Sequence, residues 1–313
     1  METAKIKELV SRMTLEEKAS LCSGLDFWHT KGVERLGIPS EMVSDGPHGL
    51  RKQDDKADHL GINDSIQAVC FPAGCATASS FNRELVTKLG ETLGEECQAE
   101  NVSTILGPAM NIKRSPLCGR NFEYYSEDPL LAGSLAAAVT KGVQSKAGCG
   151  VTIKHFACNN QEDNRYFVNA HVSERALREI YLKGFEIAVR EAQPLSIMTS
   201  YNLLNGIHTA NSHDLIQGMA RDEWGFKGVV MTDWFTSQDM PMITGKFKPA
   251  YPISASTGCI YAGNDIQMPG CQKNVDDIVE AVKTGKEIDG YKITKADLQF
   301  NAANVIRVAA RTM

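Results

Sequence analysis

An aspartate and a tryptophan follow a short apolar run within KGVVMTDWF at 227–235. The run is typical of a strand that is buried on both faces of a parallel sheet. In α/β barrels the C-terminal ends of such strands carry the reacting groups. Asp233 could there attack the anomeric carbon of a sugar, and Trp234 could stack on the C–H face of the ring. The alternative is that Asp233 caps a following helix.

A second carboxylate lies in SDGPHGLR at 44–51. Glycine and proline follow Asp45 directly and leave its carboxylate on a turn, where it can accept hydrogen bonds from two sugar hydroxyls. In the alternative interpretation Asp45 forms an Asx-turn and bonds only its own backbone. Arg51 ends this segment, either near the rim of a site or as a solvated edge residue.

Cationic side chains follow two further segments. Lys154 and His155 end the apolar run GVTIKHF at 150–156, and Arg165 closes the polar run after it. Burying a lysine and a histidine together is costly unless they face anions or hydroxyls. These residues therefore indicate a polar ligand, or alternatively a salt bridge with a neighbouring carboxylate.

A long polar and aromatic loop, NIKRSPLCGRNFEYYSEDP at 111–129, carries Arg120 and Glu123 among three aromatic residues. Loops of this length in compact domains are usually functional or disordered. Another apolar run, LSIMTSY at 195–201, ends in Tyr201. Both features fit an ordered site that faces a ligand.

The elements that would position these residues alternate along the chain. Strands are predicted near 41–44, 102–106, 150–156, 195–201 and 228–231, with a further strand end at 263–265. Helices are predicted over 4–22 in two parts (the second beginning at a capping box at Thr14), 81–97, 130–143, 173–191, 212–219, 275–282 and 295–311. The alternation predicts one α/β domain over 1–313, a (β/α)8 TIM-type barrel with an irregular first unit. Long loops are expected at about 52–79, 108–129 and 240–262.

Composition excludes several classes of function. The chain has 313 residues, is 42% hydrophobic and carries a net charge of -5. Without a basic cluster or an apolar run of membrane-spanning length, we expect neither a nucleic-acid partner nor a membrane partner. The N-terminus has no apolar signal region, and the nine cysteines are scattered without a CxxC pair. The chain is therefore expected to be cytoplasmic, with reduced thiols, no metal site and no cofactor.

A closed barrel brings successive strand ends to one rim. Each polar strand end has a structural explanation when taken alone. Taken together they predict a pocket with carboxylates, cations and aromatic walls, which suits a neutral polyhydroxylated ligand. The residues concerned are Asp45, Arg120, Lys154, His155, Tyr201, Asp233 and Trp234.

Five motifs in this order resemble glycoside hydrolase family 3, above all its β-glucosidase branch, over essentially the whole chain. They are SDGPHGLR (44–51), GRNFEYYSEDP (119–129), KHFACNNQEDNR (154–165), MTSYNLLNG (198–206) and VVMTDW (229–234). The resemblance implies the N-terminal barrel domain of that family and a retaining mechanism with Asp233 as nucleophile. It also implies sugar contacts from Asp45, Arg120, Lys154, His155, Arg165 and Tyr201, apolar contacts from Met198 and Trp234, and Arg51 near the rim.

The sequence departs from the family in its second catalytic group. Retaining glycosidases need an acid/base carboxyl about 5–5.5 Å from the nucleophile. In the β-glucosidase branch this is a glutamate of a second α/β domain, and we expect that domain to be absent because the last barrel helix ends near Met313. The N-acetylglucosaminidase branch has a histidine-based acid after K-H-F-P-G-H-G, whereas this chain has KHFACNNQ. Glu123 and Glu162 are candidates within the chain, with hydrogen bonding as the expected role.

The sequence therefore predicts a β-glucosidase-type hydrolase domain that acts on nonreducing-end β-D-glucosyl residues and lacks its acid/base. Its expected partners are a β-glucoside or oligosaccharide substrate and a C-terminal domain or second chain that supplies the glutamate. Two alternatives stay open: a sugar-binding, catalytically incomplete subunit, and a β-xylosidase.

Overall fold

A parallel sheet forms the centre of the protein. The computed structural model describes residues 3–53, 63–237, 251 and 253–312. In the described part, eight strands are found: β1 (Val43–Asp45), β2 (Thr104–Leu106), β3 (Gly150–Phe156), β4 (Asn169–Ala170), β5 (Ser196–Thr199), β6 (Leu203–Leu204), β7 (Ile207–His208) and β8 (Val229–Met231). Five of them pair in parallel in the order β1-β2-β3-β5-β8, and the others form a small separate sheet.

The central strands are buried along their length, with only Asp45 at the end of β1 partly exposed. Their register places Ile153 of β3 opposite Ile197 of β5, and Ile197 opposite Val230 of β8. The sequence shows unbroken apolar runs rather than alternation because helices or loops cover both faces of the sheet. The mostly parallel α/β architecture predicted from the sequence is confirmed.

Beyond β8 the pairing continues as single bridges. Ile266 forms a parallel bridge with Met231, and Gln267 forms one with Ser23 near the N-terminus. The sequence predicted a strand end at 263–265, and the chain does run along the sheet there. Pro269 lacks an N–H group and Gly270 has a positive φ of 77°, so a regular ladder cannot extend through this stretch.

Helices surround the sheet. The described α-helices are α1 (Thr3–Arg12), α2 (Leu15–Leu21), α3 (Gly74–Ala78), α4 (Arg83–Ala99), α5 (Pro129–Gln144), α6 (Glu174–Ala176), α7 (Lys183–Ala192), α8 (Ser256–Ala262), α9 (Gln272–Thr284) and α10 (Lys295–Thr312). π-Helical segments span Leu177–Tyr181 and Asp214–Glu223, and short 3-10 turns span Glu34–Leu36 and Thr209–Asn211. Within the described ranges, no helix combines the length and the apolar character needed to cross a membrane.

The predicted capping signals hold. Thr14 and Glu17 form a reciprocal capping box at the start of α2, with each side chain bonded to the other residue's backbone N–H. Ser173 caps α6 by accepting a hydrogen bond from Ala176 N–H. Helix starts are predictable because the capping bonds join residues only three apart in sequence.

Two helices lie where loops are predicted. Helix α3 (Gly74–Ala78) lies within the predicted loop at 52–79. Helix α8 lies inside the predicted loop at 240–262, where Ser, Thr and Gly residues have low intrinsic helix propensity. Burial of this segment in the interior overrides that weak local preference. Residues 240–250 of the predicted loop lie outside the described residues.

Candidate active site

A polar cavity of about 140 Å³ opens beyond the C-terminal ends of the central strands. Strand ends of β1, β2 and β3 and the residues just after β5 and β8 all contribute to it, because parallel strands present these ends at one edge. The lining residues are Trp28, Asp45, Leu106, Arg120, Lys154, His155, Arg165, Met198, Tyr201, Asp233 and Trp234.

Asp45 at the end of β1 and Lys154 of β3 form an ion pair at the cavity. The ammonium group of Lys154 donates to Asp45 Oδ1 at 3.3 Å, and Arg51 Nη1 lies 3.6 Å from Asp45 Oδ2. Burial raises the pKa of Asp45, but the positive charges of Lys154, Arg120 and Arg51 outweigh it, so the pKa lies below its ordinary value. Asp45 is therefore an ionised acceptor whose side chain remains 36% exposed to the cavity.

Arg120 is held by a buried carboxylate. Its Nε donates to Glu123 Oε2 at 2.6 Å, and Nη2 lies 2.5 Å from the same oxygen. Glu123 Oε1 lies 3.6 Å from Lys154 Nζ, so one carboxylate faces both cations. Such pairing is required because Glu123 and Lys154 are 5% and 4% exposed, and an unpaired charge at that depth would be strongly unfavourable.

His155 is neutral in this setting. It is 1% exposed, and burial together with the positive charges of Arg120, Lys154 and Arg165 holds its pKa well below the ordinary value. Nε2 lies 2.8 Å from Arg120 Nη1 and 3.7 Å from Asp233 Oδ2. The imidazole thus separates the nucleophile candidate from the guanidinium group of Arg120.

Arg165 reaches the cavity from the loop after β3. Its Nη1 donates to Glu162 Oε2 at 2.9 Å. The guanidinium carbon lies 4.7 Å from the ring centre of Tyr201 and 5.2 Å from that of Tyr166. This cation–π contact restricts the orientation of the Arg165 guanidinium group. Burial and the charge of Asp233 raise the pKa of Tyr201 well above its usual value, so its hydroxyl stays protonated.

Asp233 and Trp234 directly follow β8. Asp233 is 7% exposed, and its Oδ1 accepts a hydrogen bond from Trp234 N–H at 2.8 Å. Among the residues that the structure describes, Oδ2 has no hydrogen-bond partner. Burial raises the pKa of Asp233 above its ordinary value, against the lowering effect of Arg165, Arg120 and Lys154. The indole N–H of Trp234 donates to Phe27 O at 2.8 Å, which fixes the ring at the cavity wall.

Nine of the ten residues singled out in the sequence line this cavity. The tenth, Arg51, contacts Asp45 and lines an adjoining cavity with His48 and Phe122. Sequence reasoning missed Trp28 and Leu106. Trp28 packs 5.6 Å from Trp234 between ring centres, and its backbone N–H is held by Asp26 in an Asx-type turn. The sequence around Trp28 favours a loop anchored by this tryptophan over a residue that lines the site, and the turn was the available signal.

The other carboxylates near the cavity are committed to cations. Asp45 faces Lys154 and Arg51, and Glu123 faces Arg120 and Lys154. Glu162 accepts hydrogen bonds from Arg165 and from Asn159. The structure therefore brings Glu123 and Glu162 into hydrogen-bonding roles, as the sequence had suggested for them.

Comparisons with known proteins agree with this architecture. Residues 56–308 match the family described as "Glycosyl hydrolase family 3 N terminal domain". Thermostable beta-glucosidase B of Acetivibrio thermocellus is 53% identical over 90% of this chain and 35% of its own length. An exo-alpha-(1->6)-L-arabinopyranosidase of Bifidobacterium breve is 48% identical over 97% of this chain and 37% of its own length.

Solved structures show the same fold. The structure of beta-glucosidase 3B from Thermotoga neapolitana in complex with alpha-D-glucose superposes with a TM-score of 0.85 at 38% identity. It covers 98% of this chain, and the match takes in 42% of that protein. The chain thus spans about two fifths or less of the length of these relatives. By sequence and by fold, it belongs to glycosyl hydrolase family 3 and corresponds to the N-terminal domain of that family.

Proposed function

We propose that this chain is the nucleophile-bearing domain of a retaining β-glucosidase-type glycoside hydrolase. Asp233 would form a covalent glycosyl-enzyme with a nonreducing-end β-D-glucosyl residue. The observation that carries this proposal is that Oδ2 of the buried Asp233 has no hydrogen-bond partner within the described part of the chain and lies in a cavity with Arg120, Lys154 and Arg165. A buried carboxylate without a partner costs free energy, and a reaction at that oxygen explains why it is kept.

In the first step Oδ2 of Asp233 forms a bond to the anomeric carbon while the glycosidic C–O bond breaks. The leaving oxygen takes the bonding electron pair and a proton from a general acid. Water then gives a proton to the conjugate base of that acid and attacks the same carbon, while the bond from this carbon to Oδ2 of Asp233 breaks; the sugar leaves with its configuration retained. Asp45 and Lys154 would bind the hydroxyls, His155 would hold Arg120 beside them, and the faces of Trp234 and Met198 would contact the ring.

We place the general acid outside the described residues of this chain. Asp45, Glu123 and Glu162 each pair with an arginine or lysine, so these carboxylates are engaged in ion pairs within the chain. The curated relatives are more than twice as long as this chain, which is consistent with an acid from a further domain or a second chain.

A glucosyl fluoride with fluorine at C2 tests the nucleophile, because fluoride leaves without a proton. We expect one covalent adduct by intact mass, mapped by peptide analysis to Asp233. Asp233→Asn should form none, while Asp45→Asn should form the same adduct more slowly. An adduct on another residue would overturn the assignment. Glucose binding by calorimetry with no adduct at all would favour the sugar-binding subunit instead.

A second substrate class rests on a specific comparison. Two relatives that are 48% identical to this chain are named exo-alpha-(1->6)-L-arabinopyranosidases. Such a pentose lacks the C6 group of glucose, as xylose does. Rates on the 2,4-dinitrophenyl β-D-glucoside, β-D-xyloside and α-L-arabinopyranoside separate the three. A higher kcat/KM for either pentoside than for the glucoside would replace the glucosidase assignment.

A further inference from the structure

Two arginines of the cavity are joined by a continuous set of side-chain hydrogen bonds. From Arg120 the path runs through the imidazole of His155 to the hydroxyl of Tyr124, then through the amide of Asn159 to Glu162 and Arg165. Tyr124 and Asn159 lie outside the lining of the cavity and are 0% and 2% exposed.

We propose that Tyr124, Asn159 and Glu162 are positioning residues that hold Arg120, His155 and Arg165 as one unit around Asp233. This inference rests on, and deepens, the function proposed above. It assigns roles to three residues that do not themselves contact the sugar.

The direction of each hydrogen bond is fixed by the chemistry at the ends. A guanidinium group can only donate, so Nε2 of His155 accepts the 2.8 Å bond from Arg120. The neutral imidazole must then carry its proton on Nδ1, which donates to Tyr124 Oη at 3.4 Å. At the other end, Glu162 accepts from both Arg165 and the amide nitrogen of Asn159, at 2.9 and 3.0 Å.

Tyr124 satisfies the middle of the network completely. Its hydroxyl donates to Asn159 O at 3.2 Å and accepts from His155 Nδ1 and Asn159 Nδ2. A phenol has one donor and two acceptor positions, and all three are used. A fully satisfied buried network rigidifies its members, and the loss of one bond weakens the others.

This arrangement has a consequence for Asp233. His155 Nε2 lies 3.7 Å from Asp233 Oδ2, but its lone pair is committed to Arg120. The imidazole therefore has no proton to donate to that oxygen, which stays available for attack. Burial and three cations also keep the pKa of His155 low, so an imidazolium does not form there.

The tautomer can be measured without any turnover. Long-range ¹⁵N–¹H spectra of the chain at neutral pH distinguish a proton on Nδ1 from one on Nε2, and the chain has seven histidines. The His155 signals are assigned by their loss in His155→Asn, or by their displacement in Tyr124→Phe if that first variant unfolds. We expect Nδ1 protonated and Nε2 bare. A proton on Nε2, or an imidazolium, would overturn the network.

A double-mutant cycle tests whether the residues act as one unit. The readout is the rate constant of inactivation by the 2-fluoroglucosyl fluoride. Tyr124→Phe and Glu162→Gln should each lower it about fivefold, the value of one net hydrogen bond, and the double variant by little more than that. The product of the two single effects, about 25-fold, would mean independent residues and would refute the proposal.

Glu191→Gln provides the matched control for the cycle. Glu191 also pairs with two cations, Arg83 and Lys141, but its side chain is 36% exposed and does not line the cavity. Combined with Tyr124→Phe, this variant should show simple additivity. If Asp233 is not the nucleophile, the kinetic arm gives no adduct on Asp233, while the tautomer measurement still decides the network.

Discussion

Two carboxylates of one cavity have pKa shifts in opposite directions. Asp45 stays partly exposed and has Lys154 as a direct partner, so charge prevails over burial and its pKa falls. No described residue hydrogen-bonds to Oδ2 of Asp233, so burial prevails and the pKa of Asp233 rises. The same surroundings thus favour the charged form of Asp45 and disfavour the charged form of Asp233.

Asp233→Asn should stabilise the protein at neutral pH. A carboxyl whose folded-state pKa is raised contributes most stability below its unfolded pKa, and loses that contribution as pH rises through the folded pKa. Removing the charge should therefore raise the free energy of unfolding by about 1 kcal/mol at pH 7. This is a typical gain when a residue kept for function is replaced by a more stable one. Urea unfolding of both proteins checks this. A gain that persists unchanged to pH 3 would contradict it.

Asp45→Asn should have the opposite effect on stability at neutral pH. Its folded pKa is lowered, so Asp45 contributes stability above its unfolded pKa and loses it as pH falls through the folded pKa. We expect a loss of stability at pH 7 that disappears in strong acid. The same unfolding series measures it, and equal signs for the two aspartates would refute the electrostatic account.

At the scale of elements, the buried ion pair of Arg221 and Asp265 connects the last helix, α10, with the sheet. Arg221 of the segment Asp214–Glu223 donates to Asp265 Oδ2 at 2.6 Å and to two backbone carbonyls. Asp265 also accepts from Val230 N–H of β8 and from Asn304 of α10. Asp265 was noted in the sequence as an acid at a strand end, and its contacts are internal.

Asp265→Asn should therefore destabilise the fold severely. It leaves the guanidinium group of Arg221 buried without its counter-charge, at a cost of about 3–5 kcal/mol. Thermal unfolding measures this loss. Arg175→Gln is the control, because its pair with Glu179 is 85% and 61% exposed and should change stability by less than about 0.5 kcal/mol. Similar losses for both variants would contradict the role of burial.

Glycines allow the close contact between α4 and α5. A Cβ on Gly142 of α5 would lie 2.2 Å from Thr87 O and 2.8 Å from Gly90 of α4, so the helices would have to separate. Gly142→Ala should cost about 1–3 kcal/mol through overpacking. Gly218 has open space around it, and Gly218→Ala should instead gain about 0.5–1 kcal/mol of helix stability. Chemical denaturation distinguishes the signs, and a neutral Gly142→Ala would refute the packing argument.

At the scale of the whole molecule, the proposed separation of nucleophile and acid has a kinetic signature. Without a general acid, β-glucosides whose leaving group needs a proton should lose about 10²–10⁴-fold in rate. The 2,4-dinitrophenyl β-glucoside should not lose this factor, because 2,4-dinitrophenolate leaves without a proton. Initial rates on aryl β-glucosides of graded leaving-group acidity check this, with Asp233→Asn as the background. A flat dependence would mean that an acid acts within this chain.

Much of the architecture could be predicted because its signals involve residues that are close together in the sequence. The strands β3 and β8 are short apolar runs, and the capping box at Thr14 joins residues three apart. The same local reasoning failed for α8, whose composition is poor for a helix.

By itself the sequence determined the strand ends, and with the family motifs it identified nine residues of the cavity lining, since those signals lie within a few residues of each other. Only the tertiary structure decided that Trp28 and Leu106 complete the lining, and that Tyr124 connects His155 with Asn159. It also decided the direction of the Asp233 pKa shift. The reason is physical: distances between remote segments, and the balance of burial against charge, depend on how the whole sheet and its helices pack.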